Sequence, residues 1–110
     1  MKLPNPERAV VDIAKLRDYC LSPAHPVGRN KARVFASVLG LTAADADALR
    51  AALLAAAQRS EATPGEQDQY GQRYILDFAM TGPAGQATVR SCWIVRTGED
   101  FARLTTCYVL

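Results

Sequence analysis

The sequence predicts an α+β fold: about three helices first, then a three- to four-stranded antiparallel sheet. Two observations predict it. Apolar residues recur at spacings of three and four as far as about residue 58, and alternate with period two from residue 73 onward. Tight turns, Gly82-Pro83-Ala84-Gly85 and Thr97-Gly98-Glu99-Asp100, then separate consecutive strands, which implies a meander. Helices that precede such a sheet bury their apolar stripes against one of its faces. At 110 residues the chain reads as a single domain, 1–110, with one core.

The elements follow in order. Pro4 and Pro6 exclude a helix interior at the start. Ala9-Val10-Val11 reads as a short strand or an extended arm. Asp12 can cap a helix from Ile13 to Leu21, with Ile13, Leu16 and Cys20 on one face. Ser22-Pro23-Ala24-His25-Pro26-Val27-Gly28 breaks it in a structured turn. A second helix covers Arg29 to Leu39, with Ala32, Phe35 and Leu39 aligned and Gly40 as its terminator. Thr42 and Asp45 form a variant capping box for a third helix through Gln58, whose stripe is Ala46, Leu49, Leu53 and Ala56 or Ala57.

Residues 60–72 are polar and rich in breakers, and read as a connecting loop or a frayed edge strand. Residues 73–80 are a strand with Tyr74, Leu76, Phe78 and Met80 on one face. Gln86 to Arg96 places Val89, Ser91 and Trp93 on one face and Arg90, Cys92 and Ile94 on the other, with Arg73 placed beside Arg90. Strict alternation over Phe101 to Leu110 sets Leu104, Thr106 and Tyr108 against Thr105, Cys107 and Val109.

Composition excludes more than it selects. No apolar run approaches the roughly 20 residues needed to span a bilayer, and no signal peptide is read. Cys20, Cys92 and Cys107 lie in apolar stretches without a CxxC, as buried thiols do in a reducing compartment, and a Cys92–Cys107 contact between neighbouring strands is conceivable. There is one histidine and no metal-ligand spacing, so neither metal nor cofactor is expected. The net charge is +2, unevenly spread: +4 over residues 1–40, −3 over 41–70 and +1 over 71–110. The two basic thirds would make one positive face if they met in space.

The chemistry-bearing segment is His25-Pro26-Val27-Gly28-Arg29-Asn30-Lys31-Ala32-Arg33. A turn, a helix start and a group of His, Lys and Arg are the parts of a phosphate site. Cations at a helix N-terminus oppose its dipole, an unfavourable placement that a bound anion would offset. His25 can act as general acid or base. Lys31 and Arg29 would bind the scissile phosphate of RNA, with Thr106 a helper from the last strand and Arg33 and Arg90 as further phosphate or RNA contacts. The plainer reading makes His25 a turn residue, the helix cations a solvated face, and Thr105, Thr106 and Tyr108 ordinary strand residues.

The run Lys15 to Leu21, continued by Pro23 to Phe35, resembles a family of small, functionally uncharacterised bacterial domains. Tyr70-Gly71-Gln72-Arg73-Tyr74, Val89 to Val95 and Leu104-Thr105-Thr106-Cys107-Tyr108 extend the resemblance over nearly the whole chain. Such domains resemble those found as stand-alone genes beside a small partner, or at the end of large secreted toxins. The order of elements is similar to the barnase–EndoU–colicin–RelE class of metal-independent ribonucleases, by fold analogy. The resemblance implies a toxin-type ribonuclease that cuts RNA by attack of a 2′-hydroxyl. The expected partners are RNA and a small acidic cognate antitoxin or immunity protein, with no membrane partner. The expected compartment is the cytoplasm, or that of a target cell. The alternative is a non-catalytic antitoxin, immunity or adaptor module holding RNA or an acidic protein. A metabolic enzyme with a small anionic substrate ranks last.

Overall fold

Three helices precede a four-stranded antiparallel meander in the computed structural model, which describes every residue, Met1–Leu110. Helix α1 spans Ile13–Lys15 and widens into a π-helical turn over Leu16–Cys20. Asp12 caps it as the sequence predicts, accepting from the Ala14 N–H at 3.0 Å. Helix α2 spans Arg29–Val34, widens over Phe35–Leu39, and stops at Gly40, whose φ of 73° is the left-handed conformation glycine adopts at low cost. Helix α3 is Ala46–Arg59, entered through a 3₁₀ turn at Ala43–Asp45 with the Thr42/Asp45 capping box formed. Its predicted stripe, Ala46, Leu49, Leu53, Ala56 and Ala57, is buried.

The strands are β1 Thr63–Asp68, β2 Gly71–Gly82, β3 Gly85–Arg96 and β4 Arg103–Val109, paired in that order. Strand β1 forms inside the stretch read mainly as a loop. All six of its residues are exposed, so no apolar alternation marks it. The N-terminal arm makes a 3₁₀ turn over Pro6–Arg8 and then joins the other edge through one parallel bridge, Val10 to Arg103.

One face of the sheet carries Tyr74, Leu76, Val89, Trp93, Leu104 and Cys107. It shares a single apolar cluster with Leu16, Cys20, Phe35, Leu39, Leu49 and Leu53 of the helices. Ser91 is the one polar side chain buried there. Its Oγ donates to the Leu76 carbonyl at 2.6 Å and accepts from Trp93 Nε1 at 2.8 Å.

Strict alternation fails in β4. Trp93 pairs with Leu104 and Cys92 with Thr106, so Thr105 is an extra, bulged residue. The bulge puts both Leu104 and Cys107 on the core face and turns Thr106 and Tyr108 to the other. Cys107 therefore lies opposite Ser91, not Cys92, and the conceived Cys92–Cys107 contact does not form. Arg73 likewise pairs with Ile94, while Arg90 lies opposite Asp77 rather than beside Arg73.

Candidate functional site

The bulge gives the second face of the sheet an ordered set of rows. Asp77, Arg90 and Tyr108 form one across three strands, and Ile75, Cys92 and Thr106 form the next. Lys31 reaches this margin from α2. Its Nζ donates to Thr106 Oγ1 and to Tyr19 Oη, both at 3.2 Å. It also stands 5.1 Å from the Tyr19 ring centre and 5.5 Å from that of Tyr108. The ammonium has three N–H donors, so one remains free. No carboxylate pairs with it. A part-buried cation held by two hydroxyls and two aromatic faces, with no acid to neutralise it, is poised for an anion. Asn30, Val34, Tyr108 and Val109 complete a cleft of about 260 Å³ around it.

His25 sits one residue removed from this cluster. Its ring is edge-on to Tyr19, centroids 4.8 Å apart. Its Nδ1 accepts from the Val27 and Gly28 N–H groups, both at 3.0 Å, and its carbonyl accepts from Arg29 N. His25 thus caps the chain entering α2, with Pro26 in the place proline favours at a helix start. The cap changes the sequence reading in two ways. Two of the backbone donors expected to cradle a phosphate are already taken. The ring proton also stands on Nε2, so the capping ring offers a hydrogen-bond donor there and no lone pair.

Gly28 fixes how α2 meets α1. A Cβ at this position would stand 2.3 Å from the Tyr19 carbonyl oxygen. Only glycine admits that approach, and it brings Tyr19 within reach of both His25 and Lys31.

The remaining predicted residues divide. Thr106 and Lys31 are brought into contact. Arg29 and Arg33 are not: they lie one turn apart on the far side of α2, lining a different cleft. Arg90 shares the face of Thr106, but its guanidinium makes a fork to Asp77, with both bonds at 2.9 Å. The fork holds the Asp77 carboxyl below its ordinary range and raises Arg90. Arg73 and Arg103 are paired too, with Asp68 and Glu99. The first and last thirds meet where Lys31 and Arg90 both lie against Tyr108, but the sheet's cations are largely matched by acids and those of α2 are not.

Sequence reasoning missed Tyr19 and undervalued Tyr108 and Cys20. Tyr19 follows the buried stripe of α1 at its margin, where an aromatic body with a polar tip is favoured, and that was the available signal. Cys20 Sγ lies 4.0 Å from Thr106 Oγ1. Hydrogen bonding with Cys107, and then Thr106 and the charge of Lys31, draw its thiol down from the ordinary range, against the effect of burial. Cys107 is pushed up by the same contact and by burial. Cys20 is fully buried and packs beneath Thr106 as part of the core.

No group of three or more His, Cys, Asp or Glu side chains is placed to hold a metal ion. No helix is long and apolar enough to cross a membrane. No curated protein matches the chain in sequence. Among solved structures, a chain of a contact-dependent growth inhibition toxin–immunity protein complex from Klebsiella pneumoniae 342 has the same fold. Its TM-score is 0.67 at 23% identity, covering 92% of this chain and 99% of that one. The model of a family described as a domain of unknown function, DUF6883, matches residues 2–110, nearly the full length, and the chain belongs to that family.

Proposed function

We propose that this protein is a toxin-type ribonuclease acting without a metal, with Lys31 at the centre of its site. One observation carries the reading: Lys31 is half-buried, anchored by Thr106 and Tyr19, unpaired by any acid, and left with one free N–H. The fold shared with a chain of a toxin–immunity complex supports a role in such a pair. In this reading Lys31 grips a non-bridging oxygen of the scissile phosphate. The 2′-oxygen attacks phosphorus, the bond to the 5′-oxygen breaks, and Lys31 offsets the charge that builds on the phosphate oxygens. Tyr19, whose oxygen already accepts from Lys31, gives its phenolic proton to the departing 5′-oxygen, and the proton of the 2′-hydroxyl passes to solvent. Thr106 orients the ammonium. His25 is a positioning residue that sets the start of α2 and the wall behind Tyr19.

The test is digestion of total bacterial RNA by purified protein in EDTA. The reading expects discrete fragments from the wild type and about a hundredfold slower cleavage by Lys31→Ala. Intact RNA in every lane, with tight binding to a cognate toxin, would move the protein to the immunity side of the pair.

A further inference from the structure

The far side of α2 holds a second cleft, separate from the Lys31 cluster. Leu21, Ala32 and Leu41 give it a buried apolar floor, and Arg29 and Arg33 stand at its rim. Its volume is about 260 Å³. Neither arginine has an acidic partner, whereas Arg73, Arg90 and Arg103 on the sheet each do. Like charges one turn apart repel, and α2 holds no acid to relieve them. Two exposed, unpaired arginines beside an apolar floor match a ligand that is flat and apolar on one side and anionic on the other.

We infer that this cleft is a nucleotide subsite, in which one base lies on Leu21, Ala32 and Leu41 while Arg29 and Arg33 hold its phosphate. Guanidinium forks fit phosphate oxygens in pairs, and an apolar floor accepts the π-face of any base. A cleft of about 260 Å³, with Ala36 and Pro23 completing its apolar wall, has room for one ring system. An acidic peptide would use the arginines but have no need of the floor. A helix with its side chains is about 10 Å thick, so this cleft and Lys31 contact different nucleotides of one strand. The biological ligand rests on the ribonuclease reading above, but the subsite is tested by binding and not by cleavage.

The experiment is NMR titration of the full chain with adenosine 5′-monophosphate, with adenosine and inorganic phosphate as separate arms. The nucleotide is expected to shift the methyl signals of Leu21, Ala32, Ala36 and Leu41, more strongly than either fragment. In Arg29→Ala/Arg33→Ala, both exposed positions, the apparent affinity should fall about tenfold or more. Arg29→Lys/Arg33→Lys, which keeps the charge without the fork, should recover only part of it. The Lys31→Ala protein should show the wild-type methyl shifts even if it no longer cleaves RNA, which separates failure of the subsite from failure of the ribonuclease reading. Unmoved methyls at saturating nucleotide would overturn the inference. So would equal binding of inorganic phosphate, or a glutamate-rich peptide that moves these methyls more strongly than the nucleotide.

Discussion

At the scale of single residues, Lys31 is the proposed centre of the site. The sequence offers it as a phosphate contact within the basic turn segment, and the structure brings it against Thr106 and Tyr19. Its side chain holds no acid and fills no core position, so Lys31→Ala should slow cleavage about a hundredfold while leaving thermal unfolding nearly unchanged. His25 behaves differently. The sequence offers it as an acid or base or as a turn residue, and which ring nitrogen is engaged depends on backbone N–H groups whose positions only the folded turn defines. His25→Ala should cost about 1 kcal/mol of stability by denaturant unfolding, the usual worth of a helix cap. His25→Asn, which can accept the same two bonds, should restore that stability and most of the activity. If activity stays lost in a stable His25→Asn protein, the ring itself takes part in the chemistry.

At the scale of elements, the helices were legible because their signals are local. Asp12, the Thr42/Asp45 box and Gly40 act within a few residues of themselves. Strand β1 was not, since both of its faces are exposed and no periodicity betrays it. The bulge at Thr105 was hidden for another reason: it is defined by pairing with β3, and it reverses which residues face the site. The spacing of the two apolar residues Leu104 and Cys107, three apart in a strand, was its only trace. Two substitutions probe how the elements hold together. Gly28→Ala should force α2 away from Tyr19, costing about 1–3 kcal/mol by thermal unfolding and lowering activity even where the protein remains folded. Ser91→Ala leaves the buried Trp93 N–H without an acceptor and should cost about 1–3 kcal/mol with little effect on the Lys31 cleft.

Across the whole molecule, charge is arranged in two ways. The sheet's second face is bound by ion pairs, while α2 carries unpaired cations on both sides. Asp68, Asp77 and Glu99 all have carboxyls held below their ordinary values: Asp68 mainly by the Tyr70 N–H, Asp77 by Arg90, Glu99 by Arg103. Groups lowered in the folded state stabilise it above their unfolded values and lose that contribution as pH falls through the folded ones. Thermal stability should therefore be level through neutral pH and decline below about pH 4, with a shallower decline in Asp77→Asn. The overall α+β plan was readable from the change of period near residue 73. The meeting of α2 with β4, on which the site depends, was not, because it joins Lys31 to Thr106 across most of the chain.

The most direct test of the central claim is growth of bacteria expressing wild-type protein against Lys31→Ala at matched folded levels. The account predicts growth arrest with accumulating RNA fragments for the wild type and normal growth for the variant. Arrest of equal strength by folded Lys31→Ala, or normal growth with intact RNA in cells carrying abundant wild-type protein, would contradict it.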